Sequence, residues 1–350
     1  MAHESNAQKN MPDLFSILKH RELQKERRRE ELTVAIKVIP VAKDVLNEIV
    51  WLGPGHRESV LRHHPGQPIE RKLKSLFQML AIFERAHADI VAQLDAFHNF
   101  SLTPEMHLPI GDAKLTLIET ALNKELVAYS AAAGALVEFS RRLRNKTGLP
   151  DIEAQIPAHF DKLEHSFVIA LRNMICHERL PGLGWQIEYG QEEGRRTDFV
   201  LFQENLGEPE DISKDARAYV ARSPKGVRLR PLVDSYAQRV YAFYAWYKDA
   251  CLEAVPLALQ DYRRVNMACQ ATSARSIYRM LLTQYLAKKI DPYQYLHKYL
   301  LPHQVEDAMK LPHRSKLQVD FIIEIADRFS ACDDELRSMV YQLFAVAETD

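Results

Sequence analysis

The chain has 350 residues, 47% of them hydrophobic and 27% charged, the balance of a folded globular protein large enough for one big or two ordinary domains. Lys and Arg (46) nearly match Asp and Glu (47), and the net charge of −1 excludes a global cationic field, so contact with a polyanion has to come from a local patch. Glycine, at 12 of 350, is scarce and β-branched residues seldom alternate with polar ones, which makes the class all-α.

Residues 1–12 are polar and are expected to be disordered. Residues 13 to about 50 read as helix, kinked at Pro40. Between Lys19 and Glu31 its charges are mixed, the mark of a solvated face held by i,i+4 pairs, whereas Val34–Leu52 is apolar enough to dock on a core. The Gly and Pro residues from 53 to 68 frame a polar loop carrying His56, Glu58, His63 and His64, whose spacing matches no metal-ligand pattern.

Ile69–Phe100 is strongly amphipathic, with Leu73, Leu76, Phe77, Leu80, Ile82, Phe83, Ile90, Val91, Leu94 and Phe97 recurring mostly at three and four. After Pro104 and Pro109 a second long helix runs over about Ala113–Lys146. Its centre, Tyr129–Ala135, consists mainly of small residues that let another helix come close. The two form an antiparallel hairpin, and a third helix, beginning near His159, packs across it. Trp185–Tyr189 and Thr197–Gln203 alternate, which reads as a small β-hairpin with Gly190–Arg196 between its strands.

Residues 214–230 hold six basic side chains against Asp215, either as a solvated loop or as a lip that contacts phosphate. The candidate RNA contacts are Arg195, Arg196, Arg217, Arg222, Lys225, Arg228 and Arg230. Pro231–Val255 is an aromatic-rich helix of core type. Helices over Tyr262–Lys289 and Leu317–Val346 close the chain, with Pro292, Pro302 and Pro312 punctuating shorter ones between them. The divisions are an N-terminal helical segment and loop (1–68), a helical bundle (69–260) and a C-terminal helical extension (261–350) without a chemical motif.

Several chemistries find no foundation. Cys176, Cys251, Cys269 and Cys332 are dispersed without a CxxC, as in a reduced cytoplasmic protein. The polar first ten residues and the lack of an apolar run of about 18 residues give no reason to expect a membrane. GxxxxGK[ST], GxGxxG and HExxH are absent. Cys176 and His177 are adjacent, so on a helix they point about 100° apart and do not form a nucleophile–base pair.

The chemically distinctive stretch is His159–Pro181. Phe160, Leu163, Phe167, Ile169, Ala170, Leu171, Met174 and Ile175 cover too much of a helix for a narrow stripe, so it is buried on more than one side. Yet its last turns carry Arg172, Asn173, His177, Glu178 and Arg179 before Pro181 and Gly182 stop it, and such groups are costly to bury unless paired or at an opening. Asn173 and His177, four apart, share a face, while Arg172 and His177, five apart, diverge by roughly 140°. A site at a seam between helices or between subunits accommodates both.

Arg172-Asn173-Met174-Ile175-Cys176-His177 resembles the R-polar-x-x-x-H signature of HEPN proteins, the higher-eukaryote and prokaryote nucleotide-binding family. The resemblance extends over about residues 70–260 and implies a HEPN-like helical bundle there. In RNA the 2′-OH is an internal nucleophile, so cleavage requires only proton transfer, for which His177 is suited, phosphorane stabilisation by the fork of Arg172, and orientation by Asn173. The resemblance implies RNA as substrate, a homodimer that joins two motifs, no metal or cofactor, and a toxin or antiviral-defence role with an antitoxin or other regulatory partner. Two alternatives stay open. The domain could bind nucleotide, RNA or a partner without catalysis, or Arg172 could pair with Glu164 while His177 caps the helix, as a purely structural arrangement.

Overall fold

The computed structural model describes residues 14–147, 152–177, 180, 182–190, 194–206 and 212–346. The expected disorder of 1–12, the tip of the β-hairpin and the loop after it at 207–211 lie outside the described residues. These residues form fourteen α-helices, short 3₁₀ turns and one three-stranded sheet, as the all-α class requires. No described helix is long and apolar enough to cross a membrane.

The first expected helix is two, α1 (Leu14–Ala35) and α2 (Lys43–Val50), because Pro40 cannot supply a helical N–H. Its neighbour α3 (Pro54–Leu61) occupies the region read as loop. Proline at its first turn is well placed to start it, where an N–H would be unpaired anyway.

The hairpin consists of α4 (Gln67–Ser101) and α5 (Pro109–Thr147). The rings of Phe83 and Tyr129 lie 4.5 Å apart, and Lys114 lies over Phe100, which fixes the antiparallel register. Leu73, Leu76, Phe83, Ile90, Leu94 and Phe97 of the predicted stripe of α4 are buried, whereas Ile82 is exposed and Ala86 takes a place on the buried face. The helix expected to begin near His159 is α7 (Lys162–His177), and a separate short helix, α6 (Ile152–His159), occupies the stretch just before it. Asp161 enforces the break: its Oδ1 accepts from the backbone N–H groups of Leu163 (2.8 Å) and Glu164 (3.1 Å), the bonds of a helix N-cap.

Strands β1 (Leu183–Gly190) and β2 (Gly194–Leu201) pair antiparallel, with Leu183 opposite Leu201 and Tyr189 opposite Arg195. The basic window is not one loop. It contains α8 (Lys214–Ala221), capped by Ser213, and a third strand, β3 (Val227–Arg228), on the far edge of β2. The aromatic helix is α9 (Leu229–Glu253), whose Tyr236, Phe243, Tyr244 and Tyr247 are buried and so belong to the core.

The remaining helices are α10 (Leu257–Ala287), α11 (Leu296–Tyr299), α12 (Pro302–Met309), α13 (Lys316–Ala326) and α14 (Asp334–Phe344). The helix expected over 317–346 breaks at Asp327, whose carboxylate accepts from the N–H groups of Ala331 and Cys332 (2.9 and 2.7 Å), and restarts at the Asp333 cap.

The chain falls into two compact units, Pro68–Pro256 and the combined ends Met1–Gln67 with Leu257–Asp350. The two end segments drawn separately from the sequence thus share a unit. Leu32, Ile36, Val41, Ile49, Val50, Val60 and Leu61 form one buried cluster with Val265 and Cys269 of α10, since α1–α3 alone offer too little apolar surface to close a core. At its centre Asp261 accepts from Val41 N (2.8 Å) and Arg264 Nε (2.9 Å). His64 Nδ1 accepts from Gly66 N (3.0 Å), which assigns its proton to Nε2, 3.3 Å from Asp261 Oδ2. His64 is therefore a structural residue and not a loop ligand.

Candidate functional site

Helix α7 presses its polar side against the small-residue centre of α5. The contact is closest at Gly134, where a Cβ would lie 3.3 Å from Arg172 Nε and 3.4 Å from its Cγ and Cδ. The missing side chain gives Arg172 a bed on α5. The guanidinium turns toward its neighbour, and Nη1 donates to Asn173 Oδ1 at 3.0 Å. Arg172 is half-buried and Asn173 exposed.

Arg172 does not pair with Glu164. That carboxylate is 5% exposed, and its Oε2 lies 3.0 Å from Arg239 Nε without the alignment of a hydrogen bond. Burial pushes the Glu164 carboxyl above its ordinary range, against a hydrogen bond from Ser235 and the charge of Arg239. Among the described residues no carboxylate pairs with Arg172. His177 is the last residue of α7, and its side chain, with that of Cys176, lies outside the described residues, as do Glu178, Arg179 and Pro181.

Arg172 and Asn173 open into a groove of about 570 Å³ between α5 and α7. From α5 it is lined by Gly134, Val137, Glu138, Arg141 and Arg142, and from α7 by His165, Ser166, Ile169 and Ala170. Glu138 is shared weakly by Arg141 and Arg142, at 3.8 and 3.6 Å. His165 Nδ1 lies 3.0 Å from buried Tyr236 Oη, and the two rings stack with centroids 5.9 Å apart. Burial, helped by the positive charge of Arg141, holds the His165 imidazole below its ordinary pKa, so near neutral pH it is uncharged.

The seven residues read as RNA contacts do not line this groove. Arg222 Nη1 sits 3.4 Å from Asp161, Lys225 pairs with Glu188 at 3.8 Å, and Arg228 Nε lies 3.3 Å from buried Asp198. Arg230 donates to Asp234 (2.7 Å) and Asp95 (2.8 Å), tying α9 to α4. The Arg195 guanidinium lies 5.7 Å from the centre of the Tyr189 ring, and its Nε and Nη2 are buried without a hydrogen-bond partner. Arg196 and Arg217 are exposed, on β2 and α8. Four of the seven are therefore engaged in ion pairs within the unit.

Sequence reading placed a close helix approach at Tyr129–Ala135, which includes Gly134, but missed Arg141, Arg142 and His165 as groove residues. The small-residue run around Gly134 was the available signal, since a close helix approach there needs a partner of matching shape. His56, Glu58, His63 and His64 do not converge, and among the described residues no three His, Cys, Asp or Glu side chains could hold a metal ion. Comparison with family models, curated proteins and solved structures returns no match.

Proposed function

We propose that the chain is a metal-independent endoribonuclease of HEPN type, acting as a homodimer with its seam near Arg172 and His177. One observation carries the reading. Arg172, without a carboxylate partner among the described residues, is bedded on Gly134, bonded to Asn173 and open to a groove with two further arginines. A fixed guanidinium oriented by an amide is the arrangement phosphorane stabilisation calls for, and the bond to Asn173 uses one of its five N–H donors. His177 transfers protons between the 2′-OH, the leaving 5′ oxygen and solvent. The divergence of Arg172 and His177 on one helix supports the dimer reading, because a facing motif from a second copy would complete the set. By the same resemblance the enzyme serves as a toxin or antiviral effector under an antitoxin or other regulatory partner.

The test is incubation of the purified full chain with mixed RNA in excess chelator, with DNA of matched sequence beside it. RNA is expected to be cut to 2′,3′-cyclic phosphate and 5′-OH ends while DNA survives. Cleavage that requires a divalent cation, or 3′-OH products, contradicts the mechanism. RNA binding lost in Arg172→Ala, with no cleavage under any condition, replaces it by a non-catalytic RNA-binding domain.

A further inference from the structure

The groove has a second cationic end. Helix α7 contributes His165 and Arg172, seven residues and so two turns apart on one face; α5 contributes Gly134 and Arg141, also seven apart. Gly134 meets Arg172, and the charge of Arg141 reaches His165, so the helices run antiparallel with two matched layers. At 1.5 Å per residue the layers stand roughly 10 Å apart along the groove. Val137 and Ile169 lie between them.

The upper layer is built to receive an anion. His165 Nδ1 is engaged with Tyr236 Oη, which aims the opposite ring edge away from the core, and Ser166 adds a hydroxyl. Among the described residues Arg141 and Arg142 share Glu138 as their ion-pair partner, at distances too long for firm hydrogen bonds. Two positive charges against one negative leave the upper layer electropositive.

We propose that this layer is a second phosphate subsite: Arg141, with His165 and Ser166, holds a phosphate of the same RNA strand whose scissile phosphate lies on Arg172. The proposal rests on the ribonuclease reading for the identity of the strand. A span of roughly 10 Å is longer than the gap between adjacent phosphates of one strand, so the two layers take phosphates that are not neighbours. The substrate is accordingly a single strand of several nucleotides, and mononucleotides or dinucleotides reach only one end. Glu138 moderates the subsite, and its removal tightens the grip.

The experiment measures binding of 5′-labelled RNA of one, two, four and eight nucleotides to His177→Ala full chain by fluorescence anisotropy, with Arg141→Gln and Glu138→Gln added to that background. Affinity is expected to rise steeply between two and four nucleotides. Arg141→Gln lowers four-nucleotide affinity roughly tenfold or more, leaves the dinucleotide unchanged, and reduces the salt slope by about 1. Glu138→Gln moves four-nucleotide affinity the opposite way. Melting curves establish that each variant is folded, and the opposite signs of the two variants cannot both arise from unfolding. A flat length dependence, or an Arg141→Gln loss equal for all lengths, overturns the subsite. Its failure is distinct from that of the ribonuclease reading. RNA cut by the wild-type chain but indifferent to Arg141 removes only the subsite, whereas a length step sensitive to Arg141 without cleavage removes only the catalysis.

Discussion

Gly134 separates stability from function. A glycine inside a long helix is destabilising by roughly 0.8–1 kcal/mol against alanine, so Gly134→Ala should by propensity stabilise α5. The three atoms nearest the added Cβ all belong to the Arg172 side chain, at 3.3–3.4 Å, and that half-buried chain can yield by a few tenths of an ångström. Propensity wins, and the melting temperature of the bundle is expected to rise by about 2–4 °C. The same shift moves the guanidinium, and misplacement by about 1 Å can cost 10²-fold in rate. Gly134→Ala is therefore expected to be at least as stable as wild type and slower on RNA. Gly134→Val, with two more methyl groups on Arg172's bed, should lose cleavage almost completely while staying folded. Thermal melting and single-turnover cleavage read the two quantities. A lower melting temperature in Gly134→Ala, or full activity in Gly134→Val, would refute the idea that the glycine exists for Arg172.

Asp161→Ala removes the cap of the motif helix and is expected to cost about 1 kcal/mol, measured by urea denaturation. Asp261→Ala leaves Val41 N and His64 Nε2 without their acceptor and removes one of the two acceptors of the part-exposed Arg264, which also donates to Val41 O (2.7 Å), and should destabilise the unit built from the chain ends by roughly 1–3 kcal/mol, visible as early loss of amide protection there. His64 and His165 are both held by burial below the ordinary imidazole value of 6.5. The unfolded chain takes up those protons first, so stability is expected to be full above about pH 6.5 and to fall as the pH drops toward the folded-state values. Buried Glu164 and Asp198, raised above the ordinary carboxylate range, act with the opposite sign, so the comparison between pH 7.5 and 6 is made on wild type and on His165→Phe side by side. A melting temperature that rises over that interval on acidification contradicts the assignment, and His165→Phe should flatten the slope.

The long helices were legible because apolar periodicity is local. The stripe of α4 and the aromatic face of α9 are visible in any short window, and both are buried as that pattern requires. Helix breaks were less legible. Asp161 and Asp327 end or start helices through side-chain bonds to nearby N–H groups, and an isolated Asp in an otherwise helical run looks like one more solvated charge. The site was half legible. Arg172 and Asn173 stood out as polar groups at the end of a buried helix. Arg141 and Arg142 were not legible as site residues, because nothing local shows that α7 would lie beside them. The window 214–230 misled for the converse reason: its acidic partners, Asp161, Glu188, Asp198, Asp95 and Asp234, all lie outside it in sequence.

The most direct measurement is the single-turnover RNA cleavage rate of the wild-type chain, His177→Ala and Arg172→Lys in excess chelator, each variant matched to wild type in its melting curve. His177→Ala should be slower by about 10²-fold or more, the scale of lost general acid–base catalysis. Arg172→Lys should be similarly impaired, since a point charge does not reproduce a planar donor fork. Wild-type rates in folded His177→Ala would contradict the central claim.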